Sequence, residues 1–213
     1  MPAEKTLPVL SLLRRGHGVL VHRRRVRVLA ALLGSWIPPN SRVLDIGCGD
    51  GAIGRLIAEH RPDIAIQGAE FSARPGCRIP CSAFDGSALP FAPGTFDVCL
   101  LTDVLHHTPD VRALLREAAR ASRRYVLVKD HARESAMDGI ILRLMDWVGN
   151  RPHGVRLPYN YQSRAQWQEH FAACALREVN CTSRIPLYPP PFSWIFGRGL
   201  HFVALLEKLP AAP

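Results

Sequence analysis

The stretch Val43-Leu44-Asp45-Ile46-Gly47-Cys48-Gly49-Asp50-Gly51 decides how the rest of the chain is read. Arg42 to Ile46 has the short apolar make-up of a buried strand, and Gly47 to Gly51 forms a tight turn. Ala52 to His60 then places Ile53, Leu56, Ile57 and His60 on one helical face. Glycines at 47, 49 and 51 remove side chains where a ligand must lie against the backbone. Gly47-x-Gly49-x-x-Ala52 loosely fits a dinucleotide fingerprint, but Asp45 and Asp50 flank the turn. A pyrophosphate there meets two carboxylates, whereas a cationic ligand without phosphate meets no such repulsion. Asp45 also has a structural alternative, holding the loop amides through its side chain. Cys48 reads as a small packing residue.

Strand and helix alternate outward from this turn. Ile64 to Glu70 and Ile79 to Ala83 read as strands, as does Phe96 to Thr102. Val111 to Ser122 is a helix with Val111, Leu114, Leu115 and Ala118 inward, and Tyr125 to Lys129 is a further strand. Such alternation builds a mostly parallel sheet with helices on both faces, and the strands' lack of apolar/polar alternation fits burial on both sides. Upstream, residues 9–37 form a helix with Val19, His22, Val26, Leu29 and Leu33 on one face, stopped by Pro38-Pro39-Asn40. Downstream, Ser135 to Val148 is helical, Gly149 to Tyr161 an ordered loop, and Ser163 caps a helix to about Ala173. Leu176 to Ser183 and His201 to Glu207 supply two last strands, giving the sheet an antiparallel end.

The chain has 213 residues, 47% hydrophobic and 21% charged, which excludes a disordered, collagenous or coiled-coil protein. No apolar run reaches the roughly 20 residues that cross a bilayer, so no integral membrane association is expected. Leu7 to Leu13 is broken by Pro8 and followed by Arg14 and Arg15, the reverse of an export signal, and a cytoplasmic location is expected. The six cysteines show no disulfide or zinc spacing, and no metal site is expected from them. The net charge of +9 is uneven: residues 1–28 hold seven basic groups and one acid, and residues 112–133 seven basic groups against Glu117 and Asp130. Nucleic acid, anionic lipid and acidic partners fit such a face, as does a plain solvated surface.

The glycine turn and the segments downstream of it resemble the class I S-adenosylmethionine-dependent methyltransferases, over about residues 40–130. The resemblance implies a Rossmann-like, doubly wound seven-stranded α/β sheet, mostly parallel with an antiparallel C-terminal strand. It implies S-adenosyl-L-methionine as cofactor, bound by Asp45, Gly47, Cys48, Gly49 and Asp50 of the turn. Glu70, 23 residues after Gly47, stands where the family's acid takes the ribose hydroxyls, beside Phe71. Asp85-Gly86 stands where the family's acid meets the adenine amino group. Leu89-Pro90-Phe91 to Phe96-Asp97, and then Thr102-Asp103-Val104-Leu105-His106-His107, are phrases typical of the small-molecule branch, with Thr102 and Asp103 beside the cofactor. One domain is expected throughout: a helical cap over 1–39, a cofactor half over 40–130, and a substrate-side half over 131–213 with a lid-like segment at 149–161.

A sulfonium already activates its methyl group, so the protein supplies in-line positioning, desolvation and removal of the acceptor's proton. His106, His107 and His131 follow expected strand ends and are the candidate bases; they favour an oxygen or nitrogen acceptor over carbon. Lys129-Asp130-His131 with Asp103 is a weaker pattern for a divalent ion. His153, Arg156, Tyr159 and Tyr161 combine ring faces with hydrogen-bonding tips, as a substrate pocket does. The expected partner is a small-molecule acceptor. RNA is the alternative acceptor, though no Asn/Asp-Pro-Pro-Tyr/Phe motif follows the fourth strand. A non-catalytic adapter binding through the basic face is a further alternative, which the retained Gly47, Gly49, Glu70 and Asp85 disfavour. Oligomeric state is left open.

Overall fold

A computed structural model describes residues 8–71, 76–150, 159–190, 192–197 and 199–210. Seven strands form one sheet in the order β3-β2-β1-β4-β5-β7-β6: β1 (Arg42–Ile46), β2 (Ala65–Glu70), β3 (Cys81–Ala83), β4 (Phe96–Thr102), β5 (Ser122–His131), β6 (Leu176–Thr182) and β7 (His201–Lys208). β1 to β5 run parallel, while β7 is antiparallel to both β5 and β6. The sheet is therefore mostly parallel with an antiparallel C-terminal strand, as expected. The central strands are buried almost without interruption, which is why their sequences show no alternation.

Helices cover both faces. Leu29 and Leu33 of α1 (Pro8–Trp36), Ile37 just beyond it and Ile57 of α2 (Ala52–His60) pack with Val43, Val98, Leu100 and Leu127 on one side. On the other side Leu44, Ile46, Leu101, Val126 and Val128 meet Leu114 and Leu115 of α3 (Val111–Ala121) and Trp167 and Phe171 of α5 (Arg164–Ala173). Asp110 caps α3 by accepting from the Ala113 N–H, and Ser163 and Gln166 form a reciprocal capping box at the start of α5, the expected position. α4 (Ala136–Asn150) adds Leu142, packed with Tyr161 and Leu200, and a short α6 (Phe192–Phe196) interrupts the proline-rich connection. The connecting loop was expected from Gly149; α4 instead runs through Asn150, and residues 151–158 lie outside the description.

One boundary matters for chemistry. β5 was expected to end at Lys129, with His131 beyond it. Antiparallel pairing of Asp130 with Phe202 and of His131 with His201 carries the strand to His131. Asp130 and His131 are thereby fixed on a rigid, buried strand end rather than a loop. Connections leave β1 and β4 in opposite directions across the sheet, so the crevice at their carboxyl ends is the topological switch point.

Candidate active site

The switch point is built first by the glycine turn. Gly47 (φ 70°) and Gly51 (φ 71°) have left-handed backbone and sit under neighbours: a Cβ would lie 2.5 Å from Val104 Cγ2 at Gly47 and 3.0 Å from Cys77 Sγ at Gly51. Gly49 (φ 60°) differs, because a Cβ there meets nothing within 4 Å. Gly47 and Gly51 thus shape the turn, and Gly49 offers bare backbone to open space. Cys48 tucks its Sγ over Gly68, where an added Cβ would come within 2.4 Å. Burial and the nearby Asp45 push its thiol far up, which suits packing and not nucleophilic attack.

Glu70, at the end of β2, accepts the Gly49 N–H at 2.7 Å on one oxygen and the Phe71 N–H at 3.0 Å on the other. Phe71 is 69% exposed, and its ring lies over Gly86, where a Cβ would be 3.3 Å from Phe71 Cδ2. Asp85 accepts from Ala88 N–H (2.9 Å) and Ser87 N–H (2.8 Å), and these donors hold its carboxyl down at about 2. Glu70, Gly49, Phe71, Asp85 and Gly86 therefore gather at the carboxyl ends of β1 to β3. Asp50 accepts from Ala52 N–H at 3.1 Å and pairs with Arg78 at 3.3 Å, at the mouth of the turn. Asp45 is 2% exposed at the base of the turn. The turn's three glycine amides are engaged by other acceptors: Gly47 donates to Ala69 O, Gly49 to Glu70, and Gly51 to Cys48 O. Burial first, and Glu70 second, lift the Asp45 carboxyl to about 7.

A second group of polar residues lies beside the first, at the ends of β4 and β5. Thr102 Oγ1 is buried without a hydrogen-bond partner. Asp103, with left-handed backbone at φ 56°, accepts from Lys129 and from Arg25 of α1 through its carboxylate. Burial works against the Asp103 charge, but Lys129 and Arg25 outweigh it and hold the carboxyl well below its usual range. Burial also pulls Lys129 down and, with the Lys129 charge, depresses His131 and His201.

Asp130 is fully buried. It accepts from the Leu105 N–H (3.1 Å), the His131 N–H (2.7 Å) and His106 Nδ1 (2.6 Å). Burial disfavours charge on both partners; their mutual attraction overrides it, lowering Asp130 and raising His106. His106 Nε2 faces Asp146 of α4 at 3.6 Å, and Asp146 accepts from the Tyr161 hydroxyl. The Tyr161 ring stacks on His106 at 5.8 Å between centroids. His107, half-buried with its ring 4.0 Å from His106, is depressed to about 4 by burial and by the His106 charge.

The three expected imidazoles are thus brought together, and Tyr161 joins them. Tyr159 lies one step outward, 6.3 Å from the Tyr161 ring and under the Arg143 guanidinium; His153 and Arg156 lie outside the described residues. Sequence reasoning missed Arg25, Asp146 and His201. A signal existed for Asp146, a carboxylate four residues after buried Leu142 and so on the inner face of α4.

The donor set fits the expected cofactor: an open backbone cradle at Gly49, carboxylates at three successive strand ends and a flat exposed ring at Phe71, with Arg78 paired to Asp50 at the rim of the turn. No described helix is long and apolar enough to cross a membrane. An uncharacterized methyltransferase of Mycobacterium tuberculosis is 33% identical over 111 residues; the match takes in 44% of this chain, which spans only 42% of that relative's length. A SAM-dependent methyltransferase from Thermotoga maritima superposes over 93% of this chain and 96% of its own at 20% identity and a TM-score of 0.66. A Haloferax volcanii methyltransferase, solved with the Trm112 methyltransferase activator, does so over 92% and 94% at 16% identity and a TM-score of 0.67. A family model described as a methyltransferase domain matches residues 20–176. On that match, covering well over half of its length, the chain belongs to the class I S-adenosylmethionine-dependent methyltransferase family.

Proposed function

We propose that the chain binds S-adenosyl-L-methionine at the Gly47–Gly51 turn and transfers a methyl group to an oxygen or nitrogen of a small acceptor by in-line displacement. The observation that carries this is the pairing of open backbone at Gly49 with the Glu70 carboxylate that grips its amide, beside Phe71 and Asp85. Glu70 has two oxygens for a diol, the Phe71 ring offers a stacking face, and Asp85 accepts from an amino group. The cofactor supplies an activated methyl. The chain's own work is to bind, orient and exclude water, and orientation alone contributes roughly 7–11 kcal/mol in well-ordered models. His106 is locked by Asp130, so its role is to position its neighbours. His107 is the least buried of the three imidazoles, which supports it as the one that touches an acceptor. Tyr159 and Tyr161 border the same edge, as a substrate wall would.

Calorimetric titration with S-adenosylmethionine, S-adenosylhomocysteine and NAD tests the reading. Micromolar binding of the first two and none of NAD is expected; NAD alone would overturn it. Glu70→Ala is expected to weaken S-adenosylmethionine binding by about 1–3 kcal/mol, the scale for hydrogen bonds to a charged group. Glu70→Gln is expected to lose less, since one oxygen still accepts. Unchanged affinity in Glu70→Ala removes the residue from the site.

A further inference from the structure

We infer that His106, His107 and Asp146 form a binding site for a single divalent transition-metal ion at the acceptor side of the crevice. One nitrogen from each imidazole and one Asp146 oxygen lie within 4.8 Å of one another. His106 Nε2 is buried without a hydrogen-bond partner on a ring that is 1% exposed, and His107 Nδ1 is likewise unpartnered. Leaving such nitrogens unpaired is costly, so each needs an explanation. The separation of His106 Nε2 from Asp146 Oδ2, 3.6 Å, is too long for a hydrogen bond. It is close to the about 3.0–3.5 Å at which two donors share one ion at about 2.1 Å each.

The surroundings are those of ligands held in place. Asp130 accepts from His106 Nδ1 at 2.6 Å, which holds the ring with Nε2 toward Asp146, and an ion binds Nε2 by displacing the proton that the charged imidazole carries there. Tyr161 donates to Asp146, leaving the carboxylate's other lone pairs for an ion. Two imidazoles and one carboxylate, with further positions open, suit zinc, iron, cobalt, nickel or manganese rather than the all-oxygen preference of magnesium or calcium.

Two other clusters compete less well. Asp103, His106 and His131 also converge, but Lys129 and Arg25 already occupy Asp103, and the His106 nitrogen on that side is held by Asp130. Cys48, Cys77 and Cys81 form a thiol cluster, in which Cys48 is packed down over Gly68. An ion at the preferred site would bind an acceptor's oxygen or nitrogen and make its proton easier to lose. That role rests on the methyl-transfer reading above; the ion site itself does not.

The experiment is titration of the EDTA-treated, dialysed full chain with Co²⁺ by absorption and with Zn²⁺ by calorimetry. One ion per chain is expected, with a dissociation constant of micromolar or below and a Co²⁺ spectrum free of thiolate charge transfer. Asp146→Asn, which keeps the Tyr161 partner, and His107→Gln are each expected to weaken binding tenfold or more, while Cys77→Ser leaves it unchanged. Thermal unfolding of the metal-free variants confirms that they fold, and the wild-type Co²⁺ spectrum stands without them. The inference is overturned by the absence of saturable binding, by a thiolate spectrum, or by wild-type affinity in both variants. S-adenosylmethionine titration of the metal-free chain reads the cofactor site separately, so either reading can fail alone.

Discussion

Asp130→Ala is expected to destabilise the fold by about 3–5 kcal/mol, the cost of removing one partner from a buried ion pair. The carboxylate satisfies three donors at once: the Leu105 and His131 amides and the His106 ring. Alanine leaves all three buried and unmatched, and it leaves His106 with Asp146 alone, 3.6 Å away. In a domain of this size each kcal/mol is roughly 2–4 °C, so the melting temperature should fall by about 10 °C. Asp130→Asn retains an acceptor oxygen and the shape, so it should cost clearly less. Calorimetric melting of the three proteins at one pH checks this, and a fall below about 2 °C in Asp130→Ala would show that the pair is not formed.

That size of effect says why the pair breaks badly, not why it exists. Buried charges replaced by apolar groups of equal volume often leave a protein as stable or more so. Arg25, Asp103, Lys129, Asp130, His106 and Asp146 together are an expensive way to fill a strand end that Leu or Met would fill. They stand at the switch point, at the carboxyl ends of β4 and β5, where open α/β sheets place their ligands. The pattern is that of a fold accepting a stability cost to hold charge where chemistry occurs.

How far the sequence reveals this depends on range. The Asp45 to Gly51 turn, Glu70 and Asp85-Gly86 are legible because each lies just beyond a strand whose composition is readable locally. His106 and His107 are legible for the same reason. Arg25 reaches Asp103 from 78 residues away, and Asp146 reaches His106 from the far side of α3 and β5. No local pattern announces either pairing; only the packing of α1 and α4 does. The Asp130–His131 end of β5 is hidden for a related reason: its strand character comes from β7, seventy residues on, and not from its own polar side chains. The three glycines divide similarly. All share one conformation, but which of them faces space is decided by Val104, Cys77 and Ile79.

Asp45 yields the sharpest pH dependence. Its carboxyl stands near 7 in the folded chain and near the ordinary aspartate value of about 4 when unfolded. Between those values the folded state holds a proton that the unfolded state releases, so stability falls as pH rises and levels off above about 7. The difference amounts to about 4 kcal/mol over the window. Asp45→Asn cannot release that proton. Its stability relative to the wild type should therefore climb by that amount from pH 4 to pH 8, other titrations cancelling between the two. Urea unfolding at intervals across this range measures it, and a constant difference between the proteins would show that Asp45 is ionised throughout. Ligand affinity should move the opposite way. The charge that acts on Asp45 is that of Glu70, of the same sign. A positively charged ligand in the turn relieves that repulsion and favours ionised Asp45. S-adenosylmethionine should accordingly bind the wild type more tightly as pH rises through 7. S-adenosylhomocysteine, which lacks the sulfonium charge, should gain less, and Asp45→Asn should show neither trend. Identical pH profiles for both ligands would place the sulfonium away from Asp45 and leave that carboxyl to the turn's internal electrostatics.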